Sequence, residues 1–244
     1  MPVPDVRGVT RFRFLTSTDF PPFNYVDQNG RLTGFHVDLA RGICDALSLG
    51  ARCQIEAMPF EELEEALLQG RGEAVIAGQV PGRFCGAETV ASAAFFRFAG
   101  RFAKRRDAAV TMNDPLDLAP GTRVAVIEGS AHAAYLKAFF PALTPVPVTD
   151  RPTMHLALTS AIVDTMFDDA TLTANWFAAG GAANCCRFAS GPYFSDRYFG
   201  AGLTVATRAD DRTSAQIVRY ALYEMRRKKA FQEIYLRHFP ISPF

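Results

Sequence analysis

Residues 16–40, TSTDFPPFNYVDQNGRLTGFHVDLA, hold a strand end, an aromatic loop, a hairpin turn and a helix start in one run. Just upstream, Phe12, Phe14 and Leu15 are spaced with polar residues as a strand is, and Pro21 and Pro22 stop that strand and stiffen the loop beyond it. Phe20 is thereby held near a strand end. Asp27-Gln28-Asn29-Gly30 predicts a turn joining two short strands, and Val37, Leu39, Ile43 and Leu47 then begin a helical spacing. The run describes a mouth for a ligand and carries no catalytic motif.

Composition narrows the class. The chain has 244 residues, 49% hydrophobic and 21% charged, enough for one or two compact lobes with real cores. With 26 basic and 25 acidic residues the net charge is +1, and no Lys/Arg face for nucleic acid stands out. The one dense basic run, Arg226 to Lys229, reads as a solvated helix face near the C-terminus. No apolar run approaches the roughly 18 residues that cross a bilayer, and Met1 to Thr10 contains no apolar signal core. The cysteines and His36, His132, His155 and His238 lack paired metal-ligand spacing, so neither a metal nor a cofactor is expected. No G-x-S-x-G elbow or H-E-x-x-H occurs, which disfavours a hydrolase.

Pro21-Pro22-Phe23, the D-x-x-G turn from Asp27 to Gly30, and L-x-G-F-x-V-D-L-A from Leu32 to Ala40 occur in the order that opens a known family. The combination resembles the periplasmic amino-acid-binding proteins that feed ABC importers, the family 3 extracellular solute-binding proteins. That resemblance implies a type 2 periplasmic-binding fold. The class is α/β, with two lobes, each a mainly parallel sheet flanked by helices, joined by two crossover hinge strands. Residues 1–100 plus 192–244 would form the first lobe and residues 101–191 the second.

Alternating strand and helix segments fit βαβ units along nearly the whole chain. Strands are expected at Cys53–Ala57, Glu73–Gly78, Arg123–Ile127, around Val146 and Val148, and at Ile162–Phe167. Helices are expected at Phe60–Gln69, from Gly129-Ser130 through Leu136, at His155–Ser160, at Thr171–Ala178 and within Thr213–Phe239. The chain would cross between lobes near Ala99–Lys104 and near Phe188–Tyr193, in the family's pattern.

Five cysteines are many for a cytosolic chain of this size. Many family members carry a disulfide where Cys44 and Cys53 stand, and such a bond argues for an oxidising compartment. Cys185 and Cys186 are adjacent, an uncommon pairing, and either could instead reach Cys85. The resemblance implies an exported, periplasmic protein whose signal peptide is absent from this sequence. Its partners would be a small amino acid and a membrane permease, with no nucleic acid, membrane contact only through the permease, and a monomeric state.

A free α-amino acid asks for a cation, an anion and a surface for its side chain. By the family's motif Arg83 would grip the carboxylate through two hydrogen bonds, although GQVPGR from Gly78 to Arg83 is shorter than the usual segment; a surface arginine in a turn is the bland reading. In VDTMFDD, Asp169 matches the aspartate that accepts the ammonium, with Asp168 its competitor; two neighbouring aspartates also suit a cap for the next helix. Gly129 and Ser130 match the family's carboxylate cradle at a helix N-terminus. Phe20 and Phe60 would sandwich the side chain, although most of the 21 phenylalanines must be core. His132 follows the cradle and would reach the ligand or simply face solvent. Ser17 falls where some basic-amino-acid binders carry aspartate, and Ile127 where a glutamine binder has lysine, so a neutral side chain is expected. The same scaffold also serves a cyclohexadienyl-dehydratase-like enzyme, a sensor, or a quinoprotein-dehydrogenase accessory protein.

Overall fold

The spacing of Phe12, Phe14 and Leu15 becomes β1 (Phe12–Thr16), with all three side chains fully buried. β1 runs parallel to β5 (Cys53–Ala57) on one side and to β6 (Ala74–Val75) on the other. Two antiparallel strands, β13 (Ala206–Arg208) and β7 (Thr89–Ala91), complete a sheet ordered β5-β1-β6-β13-β7. Helices α1 (Phe35–Ala46), α2 (Leu63–Leu68), α7 (Arg212–Arg227) and α8 (Ala230–His238) belong to the same unit. A computed structural model describes residues 1–78, 87–108, 118–182, 185–239 and 241.

The loop between β1 and α1 is a small antiparallel sheet of β2 (Asp19–Phe20), β3 (Asn24–Val26) and β4 (Leu32–Thr33). Its turn forms at Asp27, whose Oδ1 accepts the N–H groups of Asn29 at 2.8 Å and Arg31 at 2.9 Å. Gly34 at φ 124° lets α1 start against the preceding chain, because a Cβ there would lie 2.3 Å from the Phe23 carbonyl oxygen.

The chain divides into Met1–Phe96 with Gly202–His238, and Arg97–Ala201 with Phe239–Phe244. The second unit holds β8 (Gly100–Arg105), β9 (Arg123–Ile127), α3 (Ala131–Phe139), β10 (Thr144–Val148), α4 (Arg151–Thr159), β11 (Thr165–Asp169), α5 (Ala170–Ala178), β12 (Cys186–Phe188) and α6 (Asp196–Phe199). Its sheet is ordered β10-β9-β11-β8-β12, with the first three strands parallel and the last two antiparallel. One core cluster packs α3 residues Tyr135 and Leu136 on Phe102, Val124, Val126 and Phe167. Another packs α4 residues Met154 and Leu158 on Ala103, Ala125 and Met166.

Several segment ends differ from the sequence reading. β6 is shorter than Glu73–Gly78, although the Glu73 and Ile76 N–H groups still bond to the Arg13 and Leu15 carbonyls. α4 begins at Arg151 rather than His155, because Asp150 caps it by accepting the Thr153 N–H at 2.8 Å. β11 starts later than Ile162, which is 56% exposed, and runs on through Asp169. β8 and the Phe188–Tyr193 stretch lie wholly inside the second unit, where Gly100 pairs with Tyr193; the chain passes between units at Phe96/Arg97, Ala201/Gly202 and His238/Phe239.

Cys44 and Cys53 form a disulfide that ties the end of α1 to the start of β5. The second pairing was open between an adjacent bond and one to Cys85: Cys185 bonds to Cys186, and Cys85 lies outside the described residues. The ladder holds both cysteines in place, since Cys186 pairs with Arg105 and the Cys185 carbonyl accepts the Arg106 N–H at 2.7 Å. Non-reducing tryptic mapping should therefore link the peptide ending at Arg52 to the one beginning at Cys53, and find Cys185 and Cys186 oxidised within one peptide. Cys44→Ser should cost about 2–3 kcal/mol of stability, the loop-closure entropy of a bridge this short. Free thiols at Cys44 and Cys53 in protein purified without reductant would refute the pairing.

Candidate functional site

In the first unit, the parallel strands β5, β1 and β6 are followed in turn by Phe60, Phe20 and Gly78. Ligands of open α/β sheets bind beyond the carboxyl ends of the strands, so these residues come from the edge where a site belongs. Phe20 lies over Gly78: a Cβ on that glycine, whose φ is +82°, would stand 2.8 Å from the ring. The same ring stacks on Phe23 with centroids 4.7 Å apart and planes 14° from parallel. Phe60 is half-buried against a core cluster that includes Met58, Leu63 and Leu67. Arg83 falls outside the described residues.

Beneath Phe20 is a buried polar chain. Asn24 donates through Nδ2 to the Ser17 carbonyl at 3.0 Å and to the Ser17 hydroxyl at 2.9 Å, which leaves its Oδ1 to accept from His36 Nδ1 at 2.6 Å. Burial alone pushes the His36 pKa down to about 3, so the ring is neutral, with the proton on Nδ1. Ser17 is 1% exposed and its hydroxyl accepts from Asn24. The position that carries aspartate in some basic-amino-acid binders thus supplies neither charge nor free surface here.

In the second unit, β9 ends at Ile127 and the chain turns through Gly129, at φ +69°, into α3. Ser130 caps that helix: its hydroxyl accepts the Ala133 N–H at 3.0 Å and donates to the Ile127 carbonyl at 2.6 Å. The serine side chain is therefore spent on the turn, and what the cradle offers an anion is its backbone N–H groups and the helix dipole.

Asp168 and Asp169 close β11 on opposite faces. Alternation puts Asp169 with Phe167 on the α3 side and Asp168 with Met166 on the α4 side. Asp169 caps α5, its Oδ1 accepting the Leu172 N–H at 2.9 Å, so the capping reading and the binding reading fall on the same carboxylate. Burial raises its pKa to about 6, with the Asp168 charge adding to the rise and the Leu172 and Thr171 N–H groups opposing it. Asp168, 2% exposed, is paired with Arg151, which donates from Nε at 2.7 Å and from Nη2 at 3.2 Å. His132 Nδ1 stands 4.0 Å from Asp168 Oδ1, and His155 stacks on Trp176 at 3.8 Å. Burial lowers the pKa of both histidines; Asp168 opposes that shift and Arg151 adds to it.

Sequence reasoning passed over Arg151 and the Asn24–His36 pair. The signal for Arg151 was present in Asp150-Arg151-Pro152, where a capping residue and an early proline mark the start of a helix after a strand. Asp169→Asn retains a capping oxygen and removes a carboxylate whose charge is disfavoured by burial. At pH 7 it should stabilise the ligand-free protein by about 1–2 kcal/mol, whereas Asp169→Ala, which removes the same charge but also the cap, should be less stable than Asp169→Asn by about 1 kcal/mol. Denaturant melts of both variants check this, and equal destabilisation would contradict it.

The sequence model described as Bacterial extracellular solute-binding proteins, family 3, matches residues 12–82. A provisionally named ABC transporter arginine-binding protein 2 of Escherichia coli K12 is 28% identical over 93% of this chain and 90% of its own length. An L-arginine-binding protein of Pseudomonas aeruginosa is 24% identical over 92% of this chain and 86% of its own. Among solved structures, the L-cystine solute receptor of Neisseria gonorrhoeae superposes with a TM-score of 0.80 at 16% identity, covering 96% of this chain and 94% of that one. An ancestral cyclohexadienyl dehydratase superposes at 0.77, also at 16% identity, covering 99% of this chain and 98% of that one. The sequence likeness to family 3 extracellular solute-binding proteins thus covers residues 12–82, and the likeness to solved structures extends their fold over nearly the whole chain.

Proposed function

We propose that the protein is a non-enzymatic, periplasmic receptor that captures a free amino acid and delivers it to the permease of an ABC importer. The observation that carries this reading is the chemistry at the C-terminal edge of β9 and β11. There a capped helix N-terminus suits a carboxylate, and the buried carboxylate of Asp169 suits an ammonium. Phe20 and Phe60 in the first unit offer ring surfaces to a side chain, and Gly78 keeps the backbone beneath Phe20 open. Arg83 is the proposed second partner of the carboxylate. Relatives named as arginine-binding proteins of ABC transporters support the amino-acid class.

An enzyme on this fold would turn its ligand over. Mass spectrometry of small molecules released from gently denatured protein, and of an amino acid recovered after long incubation, separates the readings. An unmodified amino acid supports capture, and a dehydrated or decarboxylated product refutes it.

Linkage gives a sharper test. Ligand-free Asp169 holds its proton below pH 6 and releases it above, because burial has raised its pKa to about 6. An ammonium pairs with the carboxylate only after that proton leaves, so affinity should rise with pH, by about tenfold between pH 5 and 7. In Asp169→Asn the profile should be flat over this window and the affinity lower by about 2–4 kcal/mol. Calorimetry showing a pH-independent wild-type affinity would remove Asp169 from the site.

A further inference from the structure

Three adjacent parallel strands of the second unit, β10, β9 and β11, deliver a second set of side chains to the same edge. Arg151 opens α4 after β10, His132 lies in the first turn of α3 after β9, and Asp168 stands one residue from the end of β11. A carboxylate as buried as Asp168 needs a partner, and Arg151 provides it side-on through Nε and Nη2. That grip uses one flank of the guanidinium. Nη1 makes no hydrogen bond to a described residue, and the Arg151 side chain is 40% exposed. A planar group clamped along one side presents its remaining donors in a fixed direction.

His132 stands beside Asp168 without adding a cation. Its ring stacks on Phe199 with centroids 4.8 Å apart, its Nε2 is buried without a partner, and burial favours the neutral form.

We infer that Arg151, held in place by Asp168, selects the ligand by donating to an acceptor at the end of its side chain, which makes the ligand an amino acid ending in a carboxylate or a carboxamide. The inference rests on the amino-acid-binding reading and adds the side-chain class. Arg151 is then a specificity-determining residue, and Asp168 the residue that positions it.

The test is calorimetry of the twenty amino acids against the whole protein and against the double variant Arg151→Gln/Asp168→Asn. That variant removes both charges together and leaves no buried charge unpaired. The wild type should bind glutamate or glutamine at least about tenfold more tightly than arginine, lysine or leucine, the effect of one charge-assisted hydrogen bond. The double variant should lose that margin and still bind. Should it fail to fold, Arg151→Lys, which keeps the charge and loses the planar fork, reads the same margin. A tightest ligand with a cationic or apolar side chain, or a margin unchanged in the variants, overturns the inference while the amino-acid reading stands. Wild-type protein that binds none of the twenty overturns both.

Discussion

The parallel pairing of three strands in each unit is the constraint that sets the candidate site. Parallel strands joined by helices put every strand end and every following helix start on one edge, whatever lies between them in sequence. This is why Phe20, Phe60 and Gly78, spread over 59 positions, all emerge past the ends of β1, β5 and β6. The same rule brings Ser130, Arg151 and Asp169 to one edge of the second sheet. Helix N-termini bring unpaired N–H groups to that edge as well, so its polarity is built in before any side chain is chosen.

Desolvation then decides how the side chains there behave. Asp168 and Asp169 are neighbours and both are buried, yet they meet that cost differently. Asp168 is answered by a full positive charge from Arg151, which also makes two directed hydrogen bonds to it. Asp169 is hydrogen-bonded by backbone N–H groups at the start of α5 and feels Arg151 only as the smallest of these influences, so burial prevails and its pKa rises. One carboxylate is thus neutralised within the protein, and the other retains an unmet demand for positive charge. A ligand ammonium would meet that demand, which is the physical reason for proposing Asp169 as its partner.

Much of the fold was legible in the sequence because it rests on periodicity. β1, α1, β5, β9, α3 and α5 follow from apolar spacing, and the β2–β4 turn from Asp27 and Gly30. Boundaries were less legible where a cap or an exposed residue decides them, as Asp150 does for α4 and Ile162 for β11. Side-chain roles were legible only where a motif fixes them. The family spacing singled out Asp169 and Ser130; a cap at the Asp168-Asp169 pair was an alternative in the sequence, and the cap at Ser130 was not read from it. The Asn24–His36 bond and the Arg151–Asp168 pair join residues 12 and 17 positions apart, and no periodicity in the chain marks such pairs. General rarity argues against a Cys185–Cys186 bond, but it says nothing of a ladder that already holds the two residues together.

Likeness to arginine-binding relatives and selection by Arg151 rest on different parts of the chain. Buried core positions such as Phe12, Leu39 and Val124 set the fold and are indifferent to ligand charge, so a likeness of 28% identity carries the fold without carrying the ligand. Ligand charge depends instead on the sum over a handful of edge residues, where one substitution changes the sign of the local field. Asp168, the other buried acid of the site edge, is already neutralised by Arg151. On the proposal that Asp169 takes the α-ammonium, a guanidinium side chain beside Arg151 would find Asp168 already paired, whereas a side-chain oxygen would meet a donor already fixed in position.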